Sequence, residues 1–208
     1  MFITFEGSEG SGKSSQIVLL YDFLHQRGYD VLLSREPGGT DIGEQIRLIL
    51  SNRENRAMQV RTETLLFQAS RAQLVEEVIK PHLAGGGIVL CDRYADSTLA
   101  YQGYGYQRNL EQIGAIVRYA TDGLTPDLTL FLDLEVEEGL RRRARVGGLN
   151  RLDTYDVDFY QRVRQGYLVL ARQEPHRWVI IDASQPVEQV QAEIQTIVLE
   201  RLASSLGH

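Results

Sequence analysis

One run constrains this chain more than any other: Gly7-Ser8-Glu9-Gly10-Ser11-Gly12-Lys13-Ser14 matches G-x-x-x-x-G-K-[ST] without a gap. Its setting is right as well. Phe2-Ile3-Thr4-Phe5 before it reads as a short strand, and Ile17, Leu20, Tyr21 and Leu24 after it recur at helical spacing until Gly28 stops the pattern. Strand, glycine loop and helix make a cradle for a triphosphate. Backbone N–H groups and the helix N-terminus face the anion, Lys13 reaches the β- and γ-phosphates, and the Ser14 hydroxyl is a ligand for Mg²⁺. The bland alternative is a Gly/Ser-rich turn with an exposed lysine. Lysine is scarce here, only Lys13 and Lys80, so composition alone rarely puts one at this place.

Strands alternate with helical patterns along the rest of the 208 residues. Tyr29–Leu33 reads as a second strand feeding the turn-rich Arg35-Glu36-Pro37-Gly38-Gly39-Thr40. A helix follows with Ile42, Ile46, Ile49 and Leu50 on one face, and a longer one covers about 60–80 with Leu65, Leu66, Ala69, Ala72 and Val75 inward. Ile88-Val89-Leu90-Cys91-Asp92 is a buried strand ending in a carboxylate. Leu128–Leu132 and Trp178–Asp182 supply two more strands, and Pro186 opens the last helix. Five strands separated by helices predict an α/β fold with a parallel, doubly wound sheet in a single domain. Ligands of such sheets bind beyond the carboxyl ends of the strands. The net charge of −6 argues against a polymeric nucleic acid or a membrane surface as partner. A single cysteine, Cys91, excludes an internal disulfide and reads as a buried small residue. No apolar run reaches the ~20 residues of a membrane span, and no leader pattern opens the chain, so a soluble cytoplasmic protein is expected.

A phosphate cradle alone leaves three classes open: a nucleotide switch, a motor, and a kinase acting on a small acceptor. Asn-Lys-x-Asp, which reads guanine, is absent, and so is Asp-x-x-Gly. Arginine is abundant instead, at twenty positions. Arg141, Arg142, Arg143, Arg145 and Arg151 form a basic segment around Gly147-Gly148, and such a segment suits a lid, over about 141–153, closing on phosphates. A solvated helix face is the alternative, with the acidic stretch Glu135-Val136-Glu137-Glu138 pairing with Arg141 and Arg142, and it weighs more for Arg141 and Arg143 than for Arg145 and Arg151. Asp92, at a strand end beside the loop, is placed to hold Mg²⁺ through water, or to cap a helix starting at Arg93. Arg93 would point at an acceptor phosphate.

These residues resemble the thymidylate kinases, P-loop enzymes of the nucleoside monophosphate kinase type. The resemblance rests on Phe5–Ser14, on Arg35–Thr40 with Gly43-Glu44 and Arg47, on Leu65–Gln73, on Asp92–Gly103, and on Asp182-Ala183-Ser184, in the family's order. It implies transfer of a phosphoryl group from MgATP to dTMP. Gly7 to Ser15, including Ser8, Gly10, Ser11, Gly12 and Lys13, would hold ATP, and Ser14 and Asp92 would hold Mg²⁺. Phe67 would stack on thymine, Arg71 would donate to its O4, and Gln102 and Ser97 would bond the base edge. Tyr101 would press on C2′ and exclude a ribose hydroxyl. Arg35 and Arg93 would hold the acceptor phosphate, and Glu9 would lie near the acceptor sugar. With no arginine in the loop and arginines in the lid, the pattern is similar to the bacterial type, in which Lys13, Arg93, Arg145 and Arg151, with Glu9, carry catalysis. The chain departs from the family at Asn150, where an acid is usual, and at Ser14-Ser15, where threonines are usual. The family is usually homodimeric. Another base preference, or a nucleotide-binding switch without transferase activity, remains the alternative reading.

Overall fold

The computed structural model describes residues 1–146, 151 and 155–206. In chain order it runs β1 (Phe2–Glu6), α1 (Lys13–His25), β2 (Val31–Arg35), α2 (Asp41–Ser51) and α3 (Val60–Leu74). The last continues through a π-turn at Val75–Ile79 into α4 (Lys80–Ala84). Then come β3 (Ile88–Asp92), α5 (Ala95–Thr98) with a π-turn at Leu99–Gly105, and α6 (Leu110–Thr121). They are followed by β4 (Leu128–Asp133), α7 (Val136–Val146), α8 (Val157–Gln173), β5 (Trp178–Asp182) and α9 (Val187–Leu206). The five strands are parallel in the order β2-β3-β1-β4-β5, the sheet expected from the strand and helix alternation.

β1 is the central strand, and every residue of it is buried. Strand alternation sends its residues to two different layers. Ile3 and Phe5 pack with Leu20 and Leu24 of α1 and with Ile194 and Val198 of α9. Phe2 faces the other side, packing with Leu74, Val89 and Tyr94. A third cluster, Phe131, Phe159, Tyr160, Val163, Tyr167 and Trp178, seats α8 on the sheet. The register pairs Arg35 with Asp92 and Phe5 with Asp92. It also aligns Glu6 with Phe131 and Asp133 with Asp182, so polar strand ends meet along one edge of the sheet. Cys91 is buried in the core, as its apolar context suggests.

The helix over about 60–80 buries Val75 as expected and half-buries Leu66 and Ala72, but along α3 the most buried face is not the apolar one. Leu65 is 50% exposed and Ala69 is exposed, while Glu63 and Arg71 are each 1% exposed. Thr64, Gln68 and Ser70 are buried with them. The reason is that the inward face of α3 walls a polar cavity rather than a hydrophobic core. The expected inward face of α2 is likewise only partly inward: Leu50 is buried, while Ile42 and Ile49 are exposed. Arg93 does not begin a helix. Its φ of 69° breaks the strand, and α5 starts at Ala95.

Asp96 is structural. Its two carboxylate oxygens take the Nη1 and Nη2 groups of Arg177 at 2.7 and 2.9 Å, and Arg177 also donates to Thr129 and Glu174. Asp96 is 2% exposed and Arg177 7%. Removing one member of such a pair strands the other charge in the interior. Asp96→Ala should lower unfolding free energy by about 3 kcal/mol in urea titration, at the low end for a buried pair because Glu174 stays. A change within about 0.5 kcal/mol would show the pair to be dispensable.

Candidate active site

The loop after β1 turns back on itself through glycines. Gly10 adopts φ +73°, and a Cβ there would run into the carbonyl of Gly139 at the start of α7. Loop and α7 thus meet backbone to backbone. Gly12, at φ 89°, caps α1 in the left-handed region, which glycine enters without steric cost. Lys13 Nζ donates to Gly7 O at 2.9 Å, Ser8 O at 2.8 Å and Ser11 Oγ at 3.3 Å. Burial, together with the charge of Arg93, brings its pKa down to about 8. Ser14 Oγ donates to Asp92 Oδ2 at 2.6 Å, so two hard oxygen donors, one from the first turn of α1 and one from the end of β3, stand together, a donor set that suits Mg²⁺. Among the described residues no cluster of three or more His, Cys, Asp or Glu side chains could cage a metal. An ion here would therefore draw further ligands from phosphate oxygens and water.

A cavity of about 340 Å³ begins at this loop and runs to α3. Arg93 stands across it. Its Nη2 donates to Glu9 Oε1 at 2.6 Å and to Tyr101 Oη at 3.1 Å. Its Nη1 donates to Gly7 O at 3.0 Å, and to Ser97 Oγ and Tyr167 Oη at 3.3 Å each. Tyr101 Oη in turn donates to Glu9 at 3.1 Å. Burial would raise the Glu9 carboxyl, but the charges of Arg93 and Lys13 outweigh it and hold the group below its ordinary value.

Beneath Arg93 lies Glu6, fully buried at the end of β1. It accepts from Tyr94 N at 2.8 Å, Ser97 Oγ at 2.6 Å and Tyr167 Oη at 2.9 Å. Burial, with the charge of Asp96 added, pushes its pKa up to about 7.

Toward the other end, Phe67, Arg71, Ser97, Tyr101 and Gln102 all line the cavity. Arg71 is buried rather than on the surface. Nε and Nη2 bind Glu36 Oε2 at 2.8 and 2.5 Å, Nη1 binds Gln68 Oε1 at 2.7 Å and Thr98 Oγ1 at 3.0 Å, and Nη2 also reaches Tyr94 O at 2.9 Å. An arginine has five N–H donors, so a base oxygen at Arg71 has to share or displace one of these partners. Arg35 pairs with Glu44 at 2.9 Å and faces the cavity, as does Arg47, which donates to Pro37 O at 2.8 Å.

The arginines of α7 divide. Arg141 and Arg142 pair with Glu138, the helix-face arrangement weighed for them above. Arg143 lines the cavity, while Arg145 is exposed and is not part of the lining. Arg151 bonds Leu50 O at 2.8 Å and Glu63 Oε2 at 2.6 Å, at the α3 end of the cavity. The expected hinge Gly147-Gly148, with Asn150, Leu152 and Asp153, lies outside the described residues.

Sequence reasoning passed over Glu6, Glu36, Glu63 and Tyr167. Glu6 was the most findable, being a carboxylate that ends an apolar strand in the same way as Asp92. The others carry no local signal, because their partners lie far away along the chain.

The model of the family described as Thymidylate kinase matches residues 5–194. A thymidylate kinase of Roseiflexus castenholzii is 51% identical, covering 98% of this chain and 95% of its own length. One from an Exiguobacterium species is 49% identical, covering 97% and 95%. The crystal structure of thymidylate kinase from Ehrlichia chaffeensis superposes with a TM-score of 0.78 at 35% identity, covering 95% of this chain and 98% of that one.

The pKa of Glu6 sets a pH test. It is about 7 in the fold against an ordinary value of 4.5, so the folded protein holds the proton more tightly. That contribution is complete below pH 4.5 and is lost as the pH rises to about 7, with a full extent of about 3 kcal/mol. Glu6→Gln cannot ionise and lacks this dependence. Comparing urea midpoints at about pH 5 and about pH 7.5, the variant should gain on the parent by about 2 kcal/mol at the higher pH. A stability difference independent of pH would refute the raised value.

Proposed function

The chain belongs to the thymidylate kinase family, and from that membership we propose that it transfers the γ-phosphoryl group of ATP to the 5′-phosphate of dTMP, yielding dTDP and ADP. The observation that carries this reading is the placement of Arg93 and Glu9. They form one ion pair between the phosphate loop and the pocket of Phe67 and Gln102, so donor and acceptor ends share a single cavity. ATP would occupy Gly7 to Ser15. Phe67 would stack on the base, Arg71, Gln102 and Ser97 would face its edge, and Arg35 would hold the acceptor phosphate. Tyr101, packed against Phe159 and Tyr167, is braced to press on C2′.

No general base is needed. The attacking oxygen belongs to a phosphate whose second pKa is about 6, so it is already anionic near neutral pH. What the protein supplies is alignment, charge neutralisation and exclusion of water. Lys13 would neutralise the transferring group from the donor side. Arg93, always charged, would hold the acceptor oxygens in line from the other. Glu9 keeps Arg93 aimed and presents a carboxylate to the acceptor sugar, near its 3′-hydroxyl. Mg²⁺, held through Ser14 and Asp92, would screen the β- and γ-phosphate oxygens. Arg143, which lines the cavity, would add to the charge around the phosphates, and Arg145 and Arg151, outside that lining, would do so only as parts of a lid over about 141–153.

Among the described residues no helix is long and apolar enough to cross a membrane. The nucleotide substrates support a cytoplasmic setting. Exposed apolar residues on α2 and α3, Ile42, Leu48, Ile49 and Leu65, support a homodimer formed through these helices.

Two measurements test the reading. ADP formation with ATP and a panel of dTMP, dUMP, dCMP, dAMP and UMP should be stimulated most by dTMP. Stimulation by none would favour a nucleotide-binding switch, and stimulation by another member a different base preference. Arg93→Ala should lower kcat at saturating dTMP by ~10³-fold. Turnover near that of the parent would remove Arg93 from the reaction.

A further inference from the structure

Glu63 has no role in the reading above, yet it is among the most buried charges of the molecule, 1% exposed and lining the cavity. It lies four residues before Phe67 and eight before Arg71, hence on the same face of α3. Both of its oxygens are engaged. Oε1 accepts from Gln102 Nε2 at 2.9 Å. Oε2 accepts from Arg151 Nη2 at 2.6 Å and from Tyr155 Oη at 3.4 Å. The carboxylate is thereby pinned from two sides.

An ionised carboxylate only accepts hydrogen bonds. Of the two ends of the Gln102 amide it can therefore hold only the NH₂. The amide is planar, so its carbonyl oxygen faces away from Glu63. Gln102 lines the cavity, and among the described residues its Oε1 has no hydrogen-bond partner. The end presented to a ligand is thus an acceptor.

We propose that Glu63 is a specificity-determining residue: by capturing the NH₂ of Gln102 it presents a fixed carbonyl acceptor to the base edge, and so selects a base with a donor at N3. This rests on the reading that the cavity takes the base of a pyrimidine nucleotide. Thymine and uracil carry N3–H. Cytosine offers a lone pair at N3, which would face the Gln102 carbonyl. Rotating the amide to suit cytosine would bring its oxygen against the Glu63 carboxylate, two acceptors in contact. The discrimination sits in a residue that need not touch the base. Glu63 is a positioning residue, and through Arg151 it also ties the base pocket to the arginine-rich segment.

The experiment compares kcat/KM for dTMP and dCMP in the parent, Glu63→Gln, Gln102→Leu and Arg151→Ala. A carboxamide at 63 donates as well as accepts, so Gln102 is freed to turn. Glu63→Gln should lower the dTMP-to-dCMP ratio by about tenfold or more, mainly through a lower KM for dCMP. Arg151→Ala keeps the carboxylate, and should lower both efficiencies while leaving the ratio within about threefold. If Glu63→Gln does not fold, Gln102→Leu carries the test, because deleting the acceptor should collapse the same ratio. A merely structural role for Glu63 would depress both acceptors alike. An unchanged ratio in Glu63→Gln, or in Gln102→Leu, overturns the proposal. A parent enzyme that does not prefer dTMP would overturn the assignment of substrate itself, a result visible before any variant is compared.

Discussion

A single buried carboxylate holds the catalytic end of this molecule together. Glu6 ends the central strand and joins three segments that are far apart in sequence: the turn after β3 through Tyr94 N, α5 through Ser97, and α8 through Tyr167. Isolated in an apolar interior, such a group would be costly. Here its hydrogen bonds offset part of that cost, and a pKa near 7 reports the part that remains. The same hydroxyls that donate to Glu6 accept from Arg93. The position of Arg93 is therefore set from the core outward, and its left-handed backbone is over-determined by bonds on both sides.

The cavity is organised as a row of ion pairs: Arg93 with Glu9, Arg71 with Glu36, and Arg151 with Glu63. Buried pairs are weak sources of stability, because desolvation offsets much of the Coulombic gain. What they supply is direction. Each arginine is a planar fork whose orientation is fixed by its carboxylate before any substrate arrives. One atom breaks the pattern. Among the described residues Glu36 Oε1 is buried without a hydrogen-bond partner, beside the donors of Arg71. It marks the place where this row is least satisfied, and burial correspondingly raises the Glu36 pKa.

The parallel sheet, the phosphate loop and the strand-end carboxylate Asp92 were legible in the sequence. Each is written in a short stretch, through alternation of apolar residues, glycine placement and spacing. Strand Ile88–Asp92 and strand Trp178–Asp182 fall where the pattern puts them. The inward face of α3 was misread because Leu65 and Ala69 suggested a core, while the helix in fact turns Glu63, Gln68 and Arg71 inward. Amphipathic reasoning assumes that the interior is apolar, and it fails where the interior is a binding cavity.

The sequence by itself determined the class of chemistry. Seven residues from Gly7 to Lys13, with a strand before and a helix after, suffice for a phosphate cradle, because backbone geometry over that length is local. Only the tertiary structure decided which of twenty arginines meets which carboxylate. Arg93 and Glu9 are 84 residues apart, and Arg151 and Glu63 are 88. Gln102 is oriented by Glu63 across 39 residues. A hydrogen bond has a reach of about 3 Å and a required direction, and no spacing rule along the chain encodes either across such separations.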